Sequence, residues 1–242
     1  MQKKKLKKET LGTVQSDFIN LASHQLRTPL TGIRWLLELL QKENLGPLNK
    51  KQKEFLEKIY ISNERMIALV NDLLEVTRLE QGDTKLYLQA TEIAQIMRGL
   101  IKEKEREIKK KRLKVSFKVE QEPFPAVRTE PNKIKQAAAN IINNAITYTN
   151  EGGQIEVDLK VLDGTVLCKI SDTGVGIPKD QQAQVFSKFF RGTNILKFEN
   201  IGTGLGLYLS KAFIEASGGK IWFKSEDGKG TVFFFTLPVF RE

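Results

Sequence analysis

The sequence predicts a multi-domain chain of α and α+β class. An antiparallel helical hairpin that completes a four-helix bundle as a dimer precedes a two-layer α/β sandwich. Three observations predict this. Up to residue 80, apolar residues recur at three-and-four spacing along two long stretches, with no strand pattern between them. Gln81-Gly82-Asp83 then interrupts the helical pattern. Beyond it, helical stretches alternate with short strand-like runs, two pairs of which are joined by Asp-Gly, as for one sheet with helices on one face. Residues 1–10 then form a basic tail, 11–80 the hairpin, 81–84 a linker and 85–242 the sandwich.

The first helix is expected from about Leu11 to about Asn44, with its stripe at Phe18, Ala22, Leu26, Leu30, Ile33, Leu37 and Leu40. His24, the only histidine, lies off that stripe on a polar flank with Asp17, Asn20, Thr28 and Thr31. A solvated imidazole keeps a pKa near neutrality and a nucleophilic nitrogen. Pro29 removes a backbone donor five residues later and predicts a bend there. In Leu45-Gly-Pro-Leu-Asn49, Gly46 and Pro47 stop the first helix and Asn49 caps the second. Phe55, Ile59, Ser62, Met66, Leu69, Leu73 and Val76 form a heptad-like seam on that second helix. One hairpin buries one side of each stripe, so a homodimer is expected.

The second part should contain a strand (Lys85–Gln89), a basic helix (Ile93–Lys110) and a strand (Leu113–Val119). After the loop Glu122-Pro-Phe-Pro125 come a helix (Asn132–Thr147) and a hairpin, Gln154–Val161 with Thr165–Ser171 across Asp163-Gly164. A Gly-rich irregular stretch runs to Gly204, followed by a helix (Leu205–Ser217). Strands Lys220–Lys224 and Thr231–Leu237 close the domain across Asp227-Gly228.

Composition narrows the function. No apolar run approaches the roughly 18 residues of a membrane helix, and the lysine-bearing N-terminus lacks the apolar core of a signal peptide. The expected location is the cytoplasm, with membrane contact only through a sensor or transmembrane part absent from this chain. Cys168 sits in the apolar run Val166–Ile170 and reads as a small buried hydrophobe. The net charge of +10 resolves into +4 over residues 1–10, zero over 11–80 and +7 over 98–118. Neither basic patch is interleaved with aromatics, so nucleic acid is excluded as a partner.

Four further clusters carry chemistry, and each also has a plain structural reading. Asp172-Thr-Gly174-Val-Gly176-Ile177 follows a strand: either a tight turn, or a carboxylate and close-approaching backbone facing a ligand. Gly202-Thr203-Gly204-Leu205-Gly206-Leu207 runs into a helix whose N–H groups suit phosphate. Asn140 and Asn144 share a helix face, as an amide network or as oxygen ligands for Mg²⁺. Phe189-Phe190-Arg191 offers packing aromatics and a cation for phosphate charge.

Their order is more specific than any one of them. His24-Gln-Leu-Arg-Thr-Pro-Leu30, Asn140/Asn144, Asp172-Thr-Gly-Val-Gly176, Phe189-Phe-Arg191 and Gly202-Thr-Gly-Leu-Gly206 resemble the H, N, G1, F and G2 boxes of two-component sensor histidine kinases. The resemblance covers about Leu11 to Phe240. It implies a dimerisation and histidine-phosphotransfer hairpin followed by an ATP-binding domain of the Hsp90/topoisomerase/MutL type. The implied activity is ATP- and Mg²⁺-dependent phosphorylation of His24, then transfer to an aspartate in a response regulator receiver domain. Thr28, one turn after His24, would orient water for the reverse, phosphatase reaction toward the regulator.

Carried over by position, Asn144 resembles the Mg²⁺ ligand with Asn140 supporting it, and Asp172 the acceptor of the adenine amino group. Tyr148 sits where an aromatic packs near the nucleotide, Arg191 where a side chain meets phosphate. Gly192–Ile201 would be the ATP lid and Thr203–Leu207 its phosphate-facing end. Gly174, Gly176, Ile177, Phe190, Gly202, Gly204, Gly206 and Thr231 complete the implied nucleotide set. Two positions depart from the pattern. Gln25 stands where Glu or Asp commonly acts as a base toward the imidazole, and Thr147 stands where Lys or Arg often precedes the aromatic. They motivate a rival reading, a nucleotide-binding scaffold without productive transfer. A stand-alone ATPase of the same superfamily is a second rival, which would not need the His24 hairpin.

Overall fold

The structure, a computed structural model, describes residues 22–23, 25–42, 46–82, 86–195 and 202–241. His24, the tail, the first turns of the first helix, Asp83 and residues 196–201 of the expected lid lie outside the described residues. The chain divides into two compact units, Met1–Thr84 and Lys85–Glu242.

In the first unit, helix α1 is continuous over 25–41, so Pro29 does not interrupt it. Gly46, at φ +113°, turns the chain into α2 (Lys50–Glu80). Asn49 caps α2 through a reciprocal pair. Its Oδ1 accepts from Gln52 N at 2.9 Å, and Gln52 Oε1 accepts from Asn49 N at 2.8 Å. Gly82, at φ +73°, ends it.

The burial pattern divides the expected seams between the hairpin's own contacts and a face left exposed in a single copy. On α1, Leu30 and Leu37 are buried, while Leu26 and Ile33 of the same stripe are exposed. On α2 the buried residues are Asn63, Val70, Leu74, Val76 and Thr77. Of the expected α2 seam, Phe55, Ile59, Met66 and Leu69 are exposed and Val76 is buried. The hairpin is therefore joined by a partly polar line. Asn63 Nδ2 donates to Leu30 O at 3.0 Å, Arg27 Nη2 to Asn71 Oδ1 at 2.8 Å, and Arg34 lies 3.5 Å from Glu64. Most of the predicted apolar seam points away from this line.

The second unit holds β1 (Gln89–Thr91), α3 (Ile93–Glu103), α4 (Glu105–Lys110), β2 (Lys114–Val119), β3 (Val127–Thr129), α5 (Pro131–Tyr148), β4 (Gln154–Leu162), β5 (Thr165–Asp172), α6 (Gly206–Ala216), β6 (Lys220–Glu226) and β7 (Gly230–Pro238). Three local expectations are corrected. Residues 86–88 of the first expected strand are not strand; β1 starts at Gln89 and pairs with the unanticipated β3. The basic helix breaks at Lys104: Ile93, Ala94, Met97 and Leu100 are buried in α3, whereas nothing in α4 is. Two short 3₁₀ turns, Lys179–Gln184 and Thr193–Ile195, interrupt the irregular stretch after β5.

The main sheet has the order β2-β4-β5-β7-β6, with β2 and β4 parallel and the other neighbours antiparallel. Alternation assigns its faces. Ile155, Val157 and Leu159, Val166, Cys168 and Ile170, and Phe233, Phe235 and Leu237 are buried on one face. α5 and α6 pack together against that face, and α3 packs on α5. On the other face Trp222 stacks on Phe234 at 5.4 Å and Lys169 pairs with Asp158 at 3.1 Å. Cys168 is buried as expected, and burial pushes its thiol pKa up. No described helix is long and apolar enough to cross a membrane.

Candidate nucleotide site

Asp172 ends β5 on the helix-covered face, in register with Ile155 on one side and Thr231 on the other. Its Oδ1 accepts from Gly174 N at 2.8 Å and Thr231 N at 3.3 Å, and Oδ2 has no partner among the described residues. Burial pushes the carboxyl pKa up to about 6, against the two backbone donors that pull it down. A half-buried carboxylate with one oxygen unused is suited to an amino group.

The loop after Asp172 is tight for stated reasons. A Cβ on Gly174 would lie 2.5 Å from Tyr148 O, and one on Gly176 would lie 2.0 Å from Glu226 O, with φ +66° besides. Ile177 N donates to Ser225 Oγ at 2.9 Å, and Ser225 Oγ donates to Gly230 O at 3.0 Å. With its one proton so placed, Ser225 is the acceptor in its 2.9 Å bond with Thr231 Oγ1. β6 and β7 thereby hold both ends of the loop.

α5 carries Asn140, Asn144 and Tyr148 along one side. Asn140 Nδ2 donates to Gly206 O at 3.0 Å, and a Cβ on Gly206 would stand 3.1 Å from the Asn140 amide carbon. Asn140 thus braces the start of α6 against α5. The Asn144 amide, half-buried, makes no hydrogen bond among the described residues. Its oxygen fits a hard cation such as Mg²⁺, as the carboxylate of Asp172 fits an adenine. Burial raises the Tyr148 pKa, and the charge of Arg191 acts on the phenol to lower it.

At the other end, Leu205 is fully buried and Thr203 Oγ1 accepts from Leu205 N at 3.2 Å, while Leu207 is half-buried. Gly204 takes φ +75°, and a Cβ there would lie 2.8 Å from the backbone of Phe189, itself at φ +60°. Phe190 is half-buried behind it. Gly202 has open space around it. All the sequence-predicted nucleotide residues lie in the second unit, on α5, β5, β7, the stretch between β5 and α6, and the start of α6. Gln25 and Thr28 lie on α1, exposed, in the other unit.

Sequence reasoning missed several participants. Ser225 and Asn194 carry no motif; Asn194 Nδ2 donates to Gly176 O and Asp227 Oδ1, each at 3.1 Å. Lys111 donates to three carbonyls at the end of α5. It sits in a run of four basic residues that reads as solvated surface, so no sequence signal marks it.

Known families share this arrangement. Residues 129–241 match the family of histidine kinase-, DNA gyrase B- and HSP90-like ATPases, and residues 14–82 match the His kinase A (phospho-acceptor) domain. The chain belongs to the histidine kinase family. The circadian input-output histidine kinase CikA of Synechococcus elongatus is 27% identical over 95% of this chain and 31% of its own length. The cell-division control histidine kinase PdhS of Brucella suis is 32% identical over 96% of this chain and 23% of its own. This histidine kinase core therefore spans a third or less of these relatives. Full-length ShkA, crystallised with AMPPNP, is 26% identical with a TM-score of 0.75 over 93% of this chain and 47% of that one. AdeS of Acinetobacter baumannii, at 22% identity and a TM-score of 0.63 over 90% of this chain and 98% of that one, shares the fold.

Proposed function

We propose that this core binds ATP in the Asp172 cleft and phosphorylates His24, from which a response regulator receiver domain takes the phosphoryl group onto an aspartate. The observation that carries the reading is the half-buried Asp172 carboxylate with a free oxygen, at the mouth of a glycine loop too tight for a Cβ. Asp172 Oδ2 accepts from the adenine amino group; guanine would set a carbonyl oxygen there and be repelled. Asn144 would hold Mg²⁺, which would supply charge neutralisation at the phosphates. Arg191 and the N–H groups from Gly204 into α6 add fixed positive potential. Gly174, Gly176, Ile177, Phe190, Gly202, Thr203 and Thr231 shape the cleft around them.

A neutral His24 nitrogen forms the N–P bond as the bond from the γ-phosphorus to the bridging oxygen breaks, and ADP leaves. The imidazolium proton goes to water, because the amide of Gln25 cannot accept it. Thr28 orients water for hydrolysis of the phosphorylated regulator. The exposed seam on α1 and α2, with Leu26, Ile33, Phe55, Ile59, Met66 and Leu69, fits a second copy of the hairpin.

Incubating the chain with γ-labelled ATP and Mg²⁺ should give acid-labile, base-stable label. His24→Gln should lose the label and keep ATP binding and dimerisation. Label on that variant would refute the assignment of His24. Binding without label in the native chain would refute the kinase and leave the scaffold reading that Gln25 motivates.

A further inference from the structure

We infer that Lys111 is a positioning residue for the nucleotide cleft, setting the end of α5 and, through it, the loop that carries Asp172. The inference rests on the nucleotide-site reading above. It comes from following the carbonyls that a helix end leaves without intrahelical donors.

α5 ends at Tyr148. Ala145 O accepts from Thr149 N at 3.1 Å and from Thr149 Oγ1 at 2.6 Å. Ile146 O, Thr147 O and Thr149 O all accept from Lys111 Nζ, at 2.8, 2.7 and 3.0 Å. Tyr148 O, the one left between them, accepts from Val175 N at 3.2 Å. Five consecutive carbonyls are thus satisfied: one locally, three by a single ammonium, and one by the Asp172 loop. An ammonium has three donors on one point, which is what three converging carbonyls require, and its charge suits the negative end of the helix.

Lys111 is itself fixed. Its carbonyl accepts from Gly152 N at 2.9 Å, Lys114 N donates to Gly153 O at 2.9 Å, and Arg112 takes the left-handed φ of +53° that turns the chain into β2. Burial lowers the Lys111 pKa and Glu107 opposes this, in keeping with an ammonium that has exchanged water for carbonyls.

The link to the site is short. Tyr148 O lies so close to Gly174 that a Cβ there would stand 2.5 Å away, and Gly174 N donates to Asp172 Oδ1 at 2.8 Å. Movement of the carbonyls that Lys111 holds moves Tyr148 O, then Val175 and Gly174, then the carboxylate. Lys111 touches none of the last three.

A cap that only stabilised the fold would leave the cleft of the folded protein unchanged, and this separates the alternatives. In the full chain, Lys111→Met keeps the aliphatic stem and removes the donors. Amide exchange of nucleotide-free protein should then accelerate at Val175 and Thr149, while the paired β4–β5 amides of Val157 and Ile170 keep their native rates. ATP affinity of the folded protein should fall roughly tenfold, the effect of losing about 1.4 kcal/mol of preorganisation. Lys111→Gln, which retains two N–H donors without charge, is read in the same way if the methionine variant does not fold. Unchanged Val175 exchange with ATP affinity within twofold of native overturns the inference, whatever happens to the melting temperature. Uniform acceleration of all amides overturns it too. A native chain that binds no ATP refutes the nucleotide-site reading instead, and Val175 exchange still decides the role of Lys111.

Discussion

Replacing Asp172 with Asn should stabilise the protein while weakening its proposed ligand. The carboxyl pKa is pushed up to about 6 from 3.8, mainly by burial. The native state therefore holds a proton more tightly than the unfolded chain between those two pH values. Stability at this position falls as pH rises through that window, and stays lower above it. At about 1.4 kcal/mol per pH unit, ionised Asp172 costs up to about 3 kcal/mol above pH 6. Asparagine matches the protonated acid in shape: its Oδ1 still accepts from Gly174 N and Thr231 N, and its amide replaces the acid's O–H donor. Asp172→Asn should thus match the native chain near pH 4 and exceed it by up to about 3 kcal/mol at pH 8. Its amide would face the adenine amino group donor to donor, so ATP should bind roughly 10- to 100-fold more weakly, the worth of a charged hydrogen bond. Urea unfolding of the full chain in a Trp35→Phe background tests this, because Trp222 on β6 then reports the second unit alone. A stability difference equal at pH 4 and pH 8, or a native chain more stable at pH 8, would refute the burial argument.

Gly174→Ala should abolish measurable ATP binding, because its Cβ would meet Tyr148 O at 2.5 Å and Asp172 Oδ1 at 2.7 Å. Gly99→Ala is the contrasting case. It is half-buried within α3 with nothing within 4 Å of a Cβ, so it should raise stability by about 0.5–1 kcal/mol and leave a calorimetric ATP titration unchanged. Gln25→Glu should speed labelling of His24 above about pH 7.5, by at most the roughly 10²–10⁴-fold worth of a positioned base. Near pH 6 the gain should vanish, because the carboxylate also favours the imidazolium. Equal initial rates across that range would mean that movement of the two units limits the reaction.

What was legible in the sequence was local. Asn49 with Gln52 marks the start of α2, and Asp163-Gly164 marks the β4–β5 turn, where the two residues take φ +46° and +76°. Each signal lies within a few residues of the structure it dictates. β1 and β3 carry no such signal: three residues each, paired across a separation of some 40 positions, with Thr91 and Thr129 as buried members. The contacts inside the hairpin carry no such signal either. Counting apolar residues cannot predict that α2 buries Asn63 against Leu30 O of α1, and Thr77 against Leu73 O of its own preceding turn. It selects instead a more apolar line, most of which stays exposed.

At the site the sequence disclosed residue types but not their constraints. Gly176 and Gly202 read alike as members of glycine motifs, yet one has backbone 2.0 Å from where a Cβ would sit and the other has open space. Asn140 and Asn144 read as a pair, yet one amide is committed to Gly206 O and the other has no partner among the described residues. Locally unfavourable features accumulate along the elements that carry the site: a carboxylate ionised against burial, Phe189 at φ +60°, and a buried Asn143 Oδ1 without a partner. None helps the fold, and α5, α6 and the sheet must hold all of them in place. Lys111 is the counterpart on the stabilising side, because it supplies from distant sequence the donors that the end of α5 lacks. A substitution that relieves one of these burdens should therefore gain stability and lose ligand together, as expected for Asp172→Asn. The same gain at Gly99, which bears no burden, should leave the ligand untouched.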